Sequence, residues 1–225
     1  MNKVAESLPP HHETFYFKFF EIELEEFGGK VFLQRHRNDA PDIDDLIAFK
    51  NDYEYSKLID TNGILKGFDL KTDEHGIQLI KEHFEGKPLS ELIKNKSFDD
   101  NSIIKLAISL TQLIDEIHRK GFVIKNFSSH NVLISNDRQA LKLSNVSKAS
   151  DIEKGKDDLT IQHGWEEAIP YLSPEQTGRI GRSTDYRSDY YALGIVLYEL
   201  LTGELPFNHD SILELVHGHI AVPPS

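Results

Sequence analysis

Several side-chain groups in this sequence could do chemistry. His11-His12 offers adjacent imidazoles, and His217 and His219 offer two more in an HGH run. Imidazole pairs can begin a metal site, but a closed zinc site takes about four ligands, and the chain has no cysteine. Both pairs are therefore read as structural bystanders, the first in a solvated tail and the second at a surface helix end. Gly28-Gly29 could cradle a phosphate, yet no GxGxxG spacing surrounds it, and Glu21, Glu23, Glu25 and Glu26 would repel anions. The pair is better read as a hairpin turn. Arg179, Arg182 and Arg187 form a basic cluster that could bind a phosphate or an acidic peptide. Ion pairs with Glu175, Asp185 or Asp189 are the competing reading. Trp165, in a charged stretch, is either a partner-binding anchor or a loop-packing side chain.

The whole chain limits these options. Its 225 residues suffice for one cored domain or two small lobes, and 39% apolar with 10% aromatic content fits a folded soluble protein. No apolar run reaches spanning length, and the start MNKVAESLPPHHE lacks the apolar stretch of a leader. A cytoplasmic protein without membrane insertion is expected. The absence of cysteine removes disulfides and thiolate metal sites. A net charge of −12 argues against a general nucleic-acid or anionic-membrane binder.

The elements that must position these groups follow from spacing. Residues 1–13 read as a disordered tail with Pro9-Pro10. Thr14–Phe20 and Glu21–Phe27 together suggest one or two strands, followed by Lys30–Gln34 and then a helix over Pro41–Ile59 capped by Asp42. Further strands, Ile64–Asp69 and Gly76–Phe84, flank a turn at 71–75. Asp99 or Asp100 caps an amphipathic helix, Asn101–Lys120, with Ile103, Ala107, Leu110, Ile114 and Ile117 on one stripe. Gly121 ends it. Phe122–Phe127 and a polar turn follow, then the hairpin-like pair Asn131–Ile134 and Ala140–Leu143, and Asp151–His163 is a charged loop. From about Asp189, Tyr190, Leu193, Leu197 and Leu200 or Leu201 recur at helical spacing. Gly203 and Pro206 end that helix. Ser211 opens the last one, with Glu214 in the capping-box position.

The run IPYLSPEQTGRIGRSTDYRSDYYALGIVLYELLTGELPF, Ile169 to Phe207, closely resembles the end of the activation segment and the central helix of protein kinases. Ser173-Pro174-Glu175 stands where the family has Ala-Pro-Glu, and Asp189 to Gly194 forms its DxxxxG pattern. PEQTGRxxRSxDYRSDxYxLGxxxYELLTGxLPF is especially similar to the kinase-like domain at the front of large hybrid sensor histidine kinases. The resemblance implies a two-lobed α+β kinase-like fold: a tail (1–13), a β-rich N-lobe (14–84) and a helical C-lobe (85–225) truncated at its C-terminus. Glu175 would lack its family arginine unless Arg182, Arg187 or another cation substitutes. Asp189 would accept hydrogen bonds from the backbone near Ile124 and Lys125. Gly194 would be a packing or loop-shaping position.

Residue by residue, the resemblance implies lost chemistry. Ile124 to Asn131 aligns with HRDLKPxN, which puts Asn126 at the catalytic base and Ser128 at the loop lysine. Losing a general base costs about 10²–10⁴ in rate. Asn131 matches the residue contacting a second magnesium, and a local backbone-bonding role is the alternative. In Leu141 to Ser147, Asn145 replaces the magnesium-binding aspartate, and an amide supplies no charge to a hard cation. VFLQ puts Gln34 at the phosphate-binding lysine, and Asp52, or Glu54 beyond it, at that lysine's acidic partner. The implied function is a non-catalytic pseudokinase module for signalling interaction or regulation. Its partners would be signalling proteins, such as a sensor histidine kinase or ATPase component, and it would hold no certain cofactor, with ATP admissible with or without magnesium. One alternative is an atypical serine/threonine kinase in which Lys30, Lys50 or Lys125 supplies the phosphate-site cation. The other is a gene fragment without selected function.

Overall fold

The computed structural model describes residues 9–14, 17–37, 42–73, 76–152, 168–209 and 211–224. Trp165 and most of the charged loop lie outside them. In chain order the elements are β1 (His12–Glu13), β2 (Phe17–Leu24), β3 (Gly29–His36), α1 (Ile43–Leu58), β4 (Gly67–Asp73), β5 (Gly76–Glu82), β6 (Gly86–Pro88), α2 (Leu89–Lys94), α3 (Asp100–Arg119), β7 (Phe122–Val123), β8 (Val132–Ser135), β9 (Leu141–Leu143), β10 (Ser150–Asp151), α4 (Arg187–Thr202) and α5 (Ile212–Ala221). They fall into two compact units. The first is Met1–Lys87 with Leu133–Ser147, and the second is Pro88–Val132 with Lys148–Ser225.

The first unit is built on an antiparallel sheet of order β1-β2-β3-β5-β4. Alternation along its strands divides the apolar side chains between two faces. One face carries Phe17, Phe19, Phe32 and Leu79, which cluster with Phe49 of α1, Leu65 and Leu133. The other carries Phe20, Leu24, Val31, Leu33 and Ile80. Helix α1 begins where Asp42 predicts. Asp42 accepts the Asp45 N–H at 2.9 Å, and Asp45 accepts the Asp42 N–H at 3.1 Å. Gly86 comes so close to the Ile134 carbonyl that a Cβ would lie 2.3 Å from its oxygen, so only glycine fits there.

In the second unit, Asp99 caps α3 by accepting the Ser102 N–H at 2.8 Å. The buried stripe of α3 is Leu106, Leu110, Leu113, Ile114 and Ile117. Ile103 and Ala107 are only half-buried, so the stripe lies partly round from the expected one. Helix α4 buries Ala192, Leu193, Ile195, Val196 and Leu200, while Tyr190 and Leu201 are exposed. It starts two residues before Asp189, which frees that carboxylate for an internal role.

Four expectations are corrected here. The polar start is not all tail, because His12 and Glu13 pair with Phe19 and Lys18 of β2. The strand predicted to end at Asp69 runs on to Asp73. Ser211 makes no side-chain cap on α5, so the expected capping box with Glu214 is absent. Nor is His219 a surface residue: it is buried, and its Nδ1 lies 2.9 Å from the Tyr191 hydroxyl.

Two buried histidines make the fold acid-sensitive. Burial pushes His12 down to about 3, helped by nearby His11 and Lys81. Burial pushes His219 down to about 4. Both bind a proton more readily unfolded, so stability is full above the ordinary histidine value and falls as pH drops toward the folded values. Each should cost about 2 kcal/mol by pH 5. Urea melts from pH 7.5 to 5 should show this loss, and His219→Phe should flatten the second unit's share.

Candidate functional site

In the first unit the candidate residues are organised by a lysine that sequence reasoning missed. Lys81 follows Leu79-Ile80 on the interior strand β5, opposite Phe32 of β3. That register turns it toward α1, and its side chain is fully buried. An unpaired ammonium there would be prohibitively costly. Helix α1 buries Asp45, Phe49, Asp52 and Ser56 at helical spacing, and this stripe presents Asp52 to the lysine. Lys81 Nζ donates to Asp52 Oδ2 at 2.8 Å and to the Ser144 carbonyl at 2.6 Å. Burial pushes the Lys81 pKa down, and the Asp52 charge opposes that shift.

Asp52 accepts two more bonds. Asn145 Nδ2 reaches Oδ2 at 3.2 Å, and the Val146 N–H reaches Oδ1 at 2.9 Å. Asn145 Oδ1 in turn accepts the Ser147 N–H at 3.0 Å and the Ser147 hydroxyl at 2.7 Å. Both lone pairs of that amide oxygen are thus committed. Gln34 lies on the same sheet face, fully buried, and neither Oε1 nor Nε2 has a hydrogen-bond partner among the described residues.

This arrangement does not fit magnesium. The oxygen of Asn145 is engaged by Ser147, Asp52 is engaged by a cation and two N–H groups, and Gln34 brings no charge. Among the described residues no group of three or more His, Cys, Asp or Glu could hold a metal ion. His11 and His12 are no exception, since their Nδ1 atoms hydrogen-bond each other at 3.1 Å.

In the second unit, Asp189 plays the part assigned to it. Its Oδ2 accepts the Ile124 N–H at 2.8 Å, and its Oδ1 accepts the Lys125 N–H at 2.8 Å. His118 Nε2 lies 2.8 Å from Oδ2, a partner the sequence reading did not foresee. These bonds hold Lys125 at a φ of 66°, a strained conformation for a non-glycine residue. Gln176 Nε2 donates to the Lys125 carbonyl at 2.8 Å from the far side. Asn131 takes the local role: its Nδ2 donates to the Asn126 carbonyl at 3.3 Å. This bond ties the Asn126 backbone into the loop.

Other expectations divide. Glu175 accepts the Ser188 hydroxyl at 2.8 Å. Arg187 turns to Asp185, with its Nη2 2.7 Å from Oδ2. That arginine therefore follows the ion-pair reading. Gly194 is exposed, and a Cβ there would meet nothing within 4 Å, so the expected packing role is not supported. Two of the three proposed cations are engaged on the surface: Lys30 pairs with Glu21 and Lys50 with Glu54. Asp52 does have a lysine, but from β5. The signal for it was present: a lysine in register with the apolar residues of an interior strand must be buried and paired.

The family profile of the protein kinase domain matches residues 25–222. A probable serine/threonine-protein kinase of Clostridium acetobutylicum is 30% identical over 186 residues, covering 80% of this chain and 27% of that relative. PrkC, a serine/threonine-protein kinase of Bacillus subtilis, is also 30% identical over 186 residues, covering 80% and 27%. A probable serine/threonine-protein kinase PknB of Bifidobacterium longum is 28% identical over 199 residues, covering 87% and 28%. The chain thus spans about a quarter of the length of these curated relatives.

Two mutational outcomes follow. Lys81→Met strands a buried carboxylate and should cost about 3–5 kcal/mol, whereas adding Asp52→Leu should recover much of that loss. Denaturant melts of both variants read the difference. Gly194→Ala, in an exposed helix interior with open space, should stabilise by about 1 kcal/mol and raise the thermal midpoint.

Proposed function

This chain belongs to the protein kinase family, and within that family we propose a domain that does not transfer phosphate and serves signalling as an interaction and regulatory module. The observation that carries this reading is the saturation of Asp52 by Lys81, Asn145 and Val146. Phosphoryl transfer depends on positioned metal, phosphate-anchoring cations and a base that receives the hydroxyl proton. Here the groups at those positions are Asn145, Gln34 and Asn126. The first has its oxygen occupied, the second is an uncharged buried amide, and the third cannot take up a proton. What is kept is architectural, above all the Asp189 hydrogen bonds that hold the backbone at Ile124 and Lys125.

The partner we propose is another signalling protein, in the first instance a sensor histidine kinase or ATPase portion. The PEQTGR to LLTGELPF run supports that choice by its similarity to hybrid sensor kinases. The acidic charge disfavours nucleic acid. No described helix is long and apolar enough to cross a membrane, and we propose the cytoplasm as its place of action.

One observation favours a second reading, an atypical serine/threonine kinase. Lys81 restores a lysine–acid pair with Asp52, and the similar proteins carry serine/threonine-kinase names. Thermal-shift titration with ATP, with and without magnesium, separates the readings, together with a phosphotransfer assay. A non-catalytic domain should show no magnesium-dependent rise in midpoint and no transfer. A magnesium-dependent rise with transfer, lost in Lys81→Arg, would replace our reading with the second. A non-cooperative melt would favour the gene fragment.

A further inference from the structure

The face of the first unit's sheet turned away from Lys81 ends in a polar row. Register places Lys18 of β2 opposite Arg35 of β3, Arg35 opposite Gln78 of β5, and Gln78 opposite Lys71 of β4. Side chains in such a row share one face. The row borders the apolar one of Phe20, Leu33 and Ile80. The Arg35 guanidinium leans over the Phe20 ring, with Cζ 5.7 Å from its centroid.

Three donors in this row have nothing to donate to. Arg35 Nε, Arg35 Nη2 and Gln78 Nε2 are buried, and none has a hydrogen-bond partner among the described residues. Gln78 is only 4% exposed. A buried donor left unmet is destabilising, and an apolar side chain would suit the neighbouring row better. The donors are also arranged for one kind of acceptor. Nε and Nη2 form the side-on edge of the guanidinium, whose two parallel N–H groups match the two oxygens of a carboxylate. Gln78, directly across the ladder, adds a third N–H.

The surrounding charges set how much negative charge the row can take. Lys18, Arg35 and Lys71 lie in it, and Arg37 lies just beyond the end of β3. Lys71 Nζ is 2.7 Å from Glu26 and 3.6 Å from Asp69, and Arg37 is 3.4 Å from Glu13. Four cations thus meet three carboxylates among the described residues, which leaves one positive charge. A carboxylate carries one negative charge and a phosphate monoester about 1.5–2 at neutral pH, so the balance favours the carboxylate.

We infer that Arg35 and Gln78 form a carboxylate-binding site on the sheet face opposite Lys81. The ligand's two oxygens accept from Arg35 Nε and Nη2, and one of them also accepts from Gln78 Nε2. Arg35 as a whole is half-buried, so a turn of its long side chain admits the ligand. The carboxylate belongs to an acidic peptide segment or to a small organic acid. The site shares no residue with the Asp52 network and stands whether or not the domain transfers phosphate.

The test titrates the full chain with acetate and, separately, with a hexaglutamate peptide, following the Arg35 Nε–H signal by proton–nitrogen NMR. Both probes should move that signal. Gln78→Leu should weaken acetate binding about tenfold by removing one charge-assisted bond, and should raise the ligand-free thermal midpoint by removing an unmet donor. Arg35→Lys keeps the charge but loses the side-on edge, and should weaken binding by a similar factor. A side chain kept for the fold alone would lower the midpoint when replaced. A lowered midpoint in Gln78→Leu, unchanged acetate affinity in either variant, or tighter binding of inorganic phosphate than of acetate would overturn the proposal. Should Arg35→Lys fail to fold, Gln78→Leu decides alone. Hexaglutamate binding more tightly than acetate at equal carboxylate concentration identifies a peptide ligand, and equal binding identifies a small acid.

Discussion

The structure of the first unit depends on one buried carboxylate. Asp52 is fully sealed from water, so its charge must be met inside the protein. Lys81, Asn145 and the Val146 amide meet it, and through them one side chain fastens α1 to strand β5 and to the segment after β9. An ion pair of this kind roughly breaks even against desolvation, so its worth lies in geometry more than in net stability. Any other register of α1 on the sheet would leave a charge stranded. The second unit is organised the same way by a different chemistry. Asp189 answers its burial with two backbone N–H groups and a histidine, and those charge-assisted bonds offset the strain at Lys125.

Much of this was legible in the sequence where local rules govern. The Asp42 and Asp99 caps, the helix ending at Gly203 and the backbone-holding role of Asp189 all follow from short-range pattern or from a motif with a fixed spacing. What escaped depends on long-range pairing. Lys81 is separated from Asp52 by 29 positions, and nothing in either neighbourhood names the other. The sequence offered only the oddity of a lysine in an apolar strand. His12 was harder, because a polar stretch after Pro9-Pro10 reads as tail. Only the register of β1 on β2 shows that its ring reaches Phe19.

Gln34 and Asn145 illustrate a different limit. The sequence predicted correctly that neither carries charge, but not what became of their hydrogen-bonding groups. Asn145 is wholly absorbed, its amine on Asp52 and its oxygen on Ser147. Gln34 is the opposite case, with no partner at all for its side chain among the described residues. Two amides that look equivalent in the sequence therefore have opposite structural meanings. One is fully engaged within the protein, and the other leaves unmet polarity.

These contrasts bear on what such a domain can respond to. A side chain whose bonds are all internal changes state only if the surrounding structure moves, so Asp52 and Asn145 can report conformation but cannot first encounter a ligand. The unmet polarity of Gln34 lies instead in the interior of the same sheet, whose edge strand β1 is only two residues long. Opening free energies are lowest where few buried contacts and few backbone bonds resist them. The first unit thus combines a rigid centre at Asp52 with a short, weakly held edge strand at His12, which can open without first breaking a buried ion pair.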